Sequence, residues 1–170
     1  FENADWTFNK NKVKENNLSS IASIISNKVF SLTPIIQNEL VVRDRLSSMS
    51  MSGASNLLTK VFNNSHLKNL GMEGNPSEFG IYLSLIKSNN LHIKKSDEFV
   101  ISIENTNNKS IKIIYDEFLK LIKGSKEAVN VSDIYAHFVK QPYGIKIGLL
   151  PILIGIFFKA TEASCAFYNK

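Results

Sequence analysis

A single cysteine, Cys165, three histidines and one tryptophan occur among 170 residues. One cysteine excludes an intramolecular disulfide and every multi-cysteine metal site, a usage that suits a reducing compartment. Long apolar runs are missing too. Lys146 and Lys159 bracket the longest, twelve residues, whereas a spanning helix needs about 20; no membrane partner is expected. No charged-then-apolar signal segment precedes FENADWTFNK and the first residue is Phe1, so the chain reads as a fragment of a cytoplasmic protein whose natural N-terminus lies elsewhere. Without a secretion signal, the sequons at Asn17 and Asn130 are not expected to carry glycans. Gly71-Met72-Glu73-Gly74 and Gly80 lack the Gly-Lys-Ser/Thr ending of a phosphate loop. They read as shaping a turn.

What is present is a chain 44% hydrophobic, long enough for one good core or two small ones. Its net charge of +5 is evenly spread: residues 1–90 carry nine basic and seven acidic side chains, and residues 91–170 eleven and eight. The densest basic cluster, Lys120, Lys123 and Lys126, sits where a helix is expected to end. There lysines complement the helix dipole, and the alternative role for the cluster is phosphate contact with nucleic acid.

Apolar spacings of three and four predict helices. Leu18, Ile21, Ile25 and Val29 mark one over about 17–30; Ala54, Leu57, Leu58, Val61 and Phe62 mark a second that ends near Asn63-Asn64. The segment PIIQNELVVRD between them is open between helix and strand. Asn75, Pro76 and Glu78 resemble a capping-box start for a third helix, to about Ser88. The period then changes over LHIKKSDEFVISIEN, where Phe99, Ile101 and Ile103 share a face: this is the expected strand. Asn107 or Asn108 would cap the next helix and Gly124 end it. Ser132 would cap a short helix to Lys140, which Pro142 stops. Tyr143-Gly144 then turns the chain into an apolar helix, and ASCAFYNK reads as extended.

The fold class is therefore mainly α with a few short strands, α+β, with a helical subdomain at 1–90 and a winged-helix-like subdomain at 91–170. Strand, helix, short extended piece, helix, glycine-containing turn, helix, strand is winged-helix order, and QPYG has the length and glycine of a helix-turn-helix connection. The helix in the recognition position nevertheless carries Leu149, Leu150, Ile152, Leu153, Ile154, Ile156 and Phe157. Base readout needs polar or basic side chains, so this helix reads as core or interface. Pro151 falls near its start or kinks it.

Candidate chemistry is sparse. Asp133 and His137, four apart, read as a surface pair. His66 and His92 have no ligand-spaced neighbours, so no metal site is expected, and Cys165 reads as a small buried hydrophobe. In Glu39, Arg43, Asp44 and Arg45, the glutamate and Arg43 can pair on one helical turn. The cluster reads as a salt-bridge group, and the alternative role for Arg43 and Arg45 is contact with a nucleotide or a neighbouring domain.

Three segments, SLTPIIQNELVVRDRLSS (31–48), LGMEGNPSEFGIYLSLI (70–86) and QPYGIKIGLLPILI (141–154), resemble the region downstream of the P-loop domain in large bacterial phage-defence ATPases of the BREX type and their relatives. Pro34, Asn38, Glu39, Leu40 and Arg43 match the first pattern; Leu70, Gly71, Gly74, Pro76 and Glu78 the second, with Ser77 displacing Glu78 by one; Pro142, Tyr143, Gly144, Gly148, Pro151 and Leu153 the third. The resemblance carries no Walker residues. It implies a non-catalytic, cofactor-free module that couples nucleotide state in a larger chain to a partner or to weakly, non-specifically bound nucleic acid. The alternative reading is a free-standing winged-helix DNA-binding regulator.

Overall fold

A computed structural model describes residues 6–13, 17–125 and 127–162. The chain is mainly helical, with two small antiparallel hairpins. The expected C-terminal strand and Cys165 lie outside the described residues.

The first hairpin pairs β1 (Trp6–Phe8) with β2 (Asn11–Val13), turning at Asn9 and Lys10 with φ of 49° and 65°. Helix α1 (Leu18–Val29) starts at Asn17, whose side chain accepts from the Ser19 N–H at 2.8 Å. The Lys28 ammonium lies 5.6 Å from the centre of the Phe8 ring, a cation–π contact that links α1 to the hairpin. Only Ile21 of α1 is buried.

Residues 34–47 are neither helix nor strand; the chain turns at 39–41 and bends through 42–45. Helix α2 (Ser48–Asn63) opens on Ser47, whose hydroxyl accepts from the Ser50 N–H at 3.2 Å, and it buries Leu57 and Val61 completely. A tight turn over Lys68–Gly71 follows, in which Asn69, Leu70 and Gly71 take φ of 52°, 56° and 67°. A left-handed leucine costs about 1–2 kcal/mol. Leu70 is fully buried, which stabilises by about 1.5–3 kcal/mol and holds the conformation.

The expected capping box at Asn75 does not form. Pro76, extended with ψ 161°, is the residue that precedes α3 (Ser77–Ile81), and no side chain caps it. Helix α3 continues into a π-helical turn over Tyr82–Lys87, where the Ser88 N–H reaches the Leu83 carbonyl and the Leu91 N–H the Ile86 carbonyl. The single strand expected next is a hairpin: β3 (His92–Lys95) pairs with β4 (Glu98–Ile101) across Ser96-Asp97, Lys95 facing Glu98.

Helix α4 (Lys109–Lys123) has the expected boundaries, with Asn108 Oδ1 accepting from the Ile111 N–H at 3.2 Å and Gly124 at its end. Helix α5 (Val131–Val139) has Asn130 at its N-cap position, two residues before the expected Ser132 cap. Val131, expected in an extended piece, is its first residue. Helix α6 (Leu150–Ala160) is shorter than its apolar run, because residues 147–149 form a turn ahead of it. Pro151 lies in the first turn, where its missing N–H costs no helical bond.

One hydrophobic cluster runs from Ile36 to Phe157. Its densest part is aromatic: Phe118 of α4 lies 5.5 Å from Phe157 and 4.9 Å from Phe158 of α6, ring centre to ring centre. Leu150, Ile152, Leu153, Ile156 and Phe157 are all fully buried. An apolar helix enclosed in this way is a core element. No helix among the described residues is long and apolar enough to cross a membrane.

Candidate functional site

The turns at 34–47 carry the arginines. Buried Pro34, Ile36 and Val41 anchor them from below. Asn38 fixes their shape twice over: its Oδ1 accepts from the Leu40 N–H at 2.9 Å and its Nδ2 donates to Ser84 Oγ at 2.7 Å. Its carbonyl also accepts from the Val42 N–H at 3.0 Å.

The stretch leading into α6 holds the other side. The Gly148 N–H donates to the Arg43 carbonyl at 2.8 Å, and Lys146 Nζ donates to Asp44 Oδ2 at 2.7 Å. Both side chains of that pair are half exposed, so it contributes at most about 1 kcal/mol. The backbone bond and the Leu46 side chain packed on Gly148 matter more. Arg43 and Arg45 thus project from a turn whose backbone is bound to the core, and both are exposed.

The expected Glu39–Arg43 pair exists, but on a turn rather than a helix. Its atoms are 3.9 Å apart and the glutamate side chain is 96% exposed. Such a pair adds almost nothing to stability. The Arg45 guanidinium has no partner among the described residues.

The first and third of the segments singled out in the sequence meet. Thr33 Oγ1 donates to the Tyr143 carbonyl, and the Leu32 N–H donates to the Pro142 carbonyl at 3.1 Å. The Gln141–Pro142 peptide is cis. Gly144 is left-handed, φ 56°, and a Cβ there would stand 2.4 Å from the Phe30 ring; only glycine fits. Beside this junction a groove of about 620 Å³ is lined by residues including Phe30, Thr33, Val42, Asp44, Gly144 and Lys146.

The second segment meets the first through Ser84, whose hydroxyl accepts from Asn38 Nδ2. Gly71 and Gly74 are both left-handed, φ 67° and 65°, which explains the two glycines before α3. Pro76 precedes that helix, and Glu78 is buried, facing Lys60 of α2. Among the described residues no hydrogen bond or ion pair joins this segment to Arg43 or Arg45.

The lysine cluster is only partly described. Lys120 pairs with Glu117 at 3.3 Å, Lys123 is exposed in the last turn of α4, and Lys126 lies outside the described residues. His137 does not pair with Asp133. Its Nε2 stands 3.4 Å from Glu117 Oε1 of α4, without completing a hydrogen bond. Burial, and then the charge of Glu117, raise the Tyr143 hydroxyl above its usual range.

His92 is a buried structural histidine. Its Nε2 lies 2.8 Å from the Ser65 carbonyl, an acceptor only, so that nitrogen carries the proton and Nδ1 accepts from the Tyr82 hydroxyl at 3.0 Å. Burial lowers its affinity for a second proton, outweighing the Ser65 bond. The exposed His66 meets this region through its backbone, its carbonyl accepting from the Phe99 N–H at 3.2 Å. Among the described residues no three His, Cys, Asp or Glu side chains gather to hold a metal ion.

Set beside family models, curated proteins and solved structures, the chain has no match in any of them.

Proposed function

We propose that this chain is a non-catalytic module of a larger bacterial NTPase of phage-defence type, coupling nucleotide state to engagement of a partner or nucleic acid. One observation carries the reading: two exposed guanidinium groups, Arg43 and Arg45, stand on a turn tied through Gly148 to the lead-in of a buried helix. A planar guanidinium bridges phosphate in bidentate fashion. A contact made there with a nucleotide-bearing domain is transmitted to α6 through backbone, not through a mobile side chain. The resemblance of the 31–48, 70–86 and 141–154 segments to the region after a P-loop domain points the same way.

In this reading residues 1–90 form a helical half and residues 91–170 a winged-helix-like half, the β3–β4 hairpin followed by α4, α5 and α6 supporting the latter. The alternative, a winged-helix DNA-binding regulator, needs a recognition helix that offers polar groups to base edges. Helix α6 buries its side chains instead, and Lys159 at its end pairs with Glu162. That favours the module.

The test is ATP hydrolysis by the isolated chain and by the longer protein that contains it. The expected result is turnover in the longer protein alone, altered when the module is removed. Turnover by the isolated chain contradicts the reading.

A further inference from the structure

Three apolar side chains that the core does not cover converge on one concavity. Phe30 at the end of α1, Ile35 and Val139 at the end of α5 are 38%, 83% and 40% exposed, and all three line either the groove of about 620 Å³ beside the Thr33–Tyr143 junction or its continuation. Single exposed apolar residues are ordinary, but several gathered in one recess mark a binding surface. Buried Ile145 lines the groove too, and past Phe30 and Val139 it runs on toward Lys140 as a second recess of about 510 Å³. The walls are fixed. The Phe30 ring occupies the space that a side chain on Gly144 would take, and Ile35 is held outward between buried Pro34 and Ile36.

Charge decides what fits there. Among the described residues the charged side chains lining the two recesses are Lys140, Lys146 and Asp44, and the turn that carries Asp44 adds Arg43, Arg45 and Glu39, making four positive groups against two negative. A second copy of this chain would set that surplus against itself, since a two-fold contact repeats one patch on both sides. A phosphate backbone answers the charge but leaves the apolar side chains in water. We propose that the groove docks an acidic, apolar segment of a protein partner, with leucine or phenylalanine side chains seated on Phe30, Ile35 and Val139 and carboxylates facing Lys140 and the arginine turn. Complementary charge then sets encounter and register, and the apolar contact holds the segment. The inference rests on the proposed module function, whose partner it identifies by chemistry.

The experiment is a titration of the whole chain, followed by amide resonances and fluorescence anisotropy, with octapeptides that alternate leucine or phenylalanine with aspartate and glutamate. The same peptides with lysine at the acidic positions are the comparison. Acidic peptides are expected to shift residues 26–35, 139–140 and 144–146 saturably, to bind at least about tenfold more tightly than the lysine set, and to weaken with salt. Ile35→Ser is expected to weaken binding about tenfold, the scale of two methylene groups lost from an apolar contact. Met51→Ser, at an exposed apolar position on α2, is expected to leave it unchanged. Saturation by no acidic peptide overturns the proposal, as does equal binding of the lysine set or unchanged affinity in Ile35→Ser together with Val139→Ser. Shifts of the same residues on self-association, or on adding duplex DNA but no peptide, assign the groove to a second copy or to nucleic acid and overturn it as well. Peptide binding is read in the isolated chain and ATP turnover in the longer protein, so this inference and the module function fail separately.

Discussion

Gly148 and Arg43 are bound to each other through backbone alone: the glycine N–H donates to the arginine carbonyl at 2.8 Å, and a Cβ on Gly148 would stand 2.7 Å from that same oxygen. The contact leaves no room for a side chain. Gly148→Ala is therefore expected to destabilise the protein by about 2 kcal/mol, the usual scale of overpacking, read from urea midpoints. Gly155→Ala is the internal control. Its Cβ would press on the Leu58 side chain, with Cδ2 nearest at 2.5 Å, the far end of a flexible side chain, and the gain in helix propensity, about 1 kcal/mol, offsets the adjustment. It is expected to be close to neutral. Equal losses at both positions would show that the Gly148 contact is nothing special.

Leu153 of α6 is fully buried in the shared core. Leu153→Asp places a charge there with no partner and is expected to cost several kcal/mol, enough to unfold a domain of ordinary stability. Far-ultraviolet circular dichroism and a thermal melt read the loss. A melt equal to the parent's would mean that α6 is not in the core.

Most helices were legible in the sequence, and the reason is local. Asn17, Asn108 and Gly124 act on neighbours within four residues, and the apolar spacing of α2 and α4 needs no knowledge of the rest of the chain. The turns at 34–47 were not legible because Asn38 is held by Ser84 and Arg43 by Gly148, partners distant in sequence. His137 misled for the same reason: a helical i,i+4 rule finds Asp133, while the actual neighbour, Glu117, is on another helix. The hairpins hid behind turns at Asn9-Lys10 and Ser96-Asp97 that lack the Asn-Gly signature. Of the candidate site, the arginines were legible and their anchoring was not.

Acid is expected to destabilise the protein through His92, whose burial lowers its affinity for a proton. Its unfolded imidazole binds a proton below about pH 6.5, whereas the buried native one takes it up only at lower pH. Stability from the neutral form is complete above 6.5 and is lost as pH falls through the native value. Urea midpoints between about pH 7.5 and pH 5 are expected to drop more steeply in the wild type than in His92→Gln. Parallel curves would contradict the assignment.

Nucleic acid, where it binds, is expected to do so through Lys120, Lys123 and Lys126 without sequence preference, and with affinity that falls steeply with salt. Competition between a defined duplex and its scrambled version reads this. Strong preference for one duplex at physiological salt would favour the DNA-binding regulator.

The most direct measurement of the central claim is Arg45→Ala, made both in this chain and in the longer protein containing it. The Arg45 side chain is exposed and has no partner among the described residues, so the isolated chain is expected to keep its stability within about 0.5 kcal/mol, and Arg43→Ala likewise, given its exposed pair with Glu39. The longer protein carrying Arg45→Ala is expected to lose nucleotide-dependent activity. Full activity in that variant would contradict the claim, and so would a large stability loss in the isolated chain.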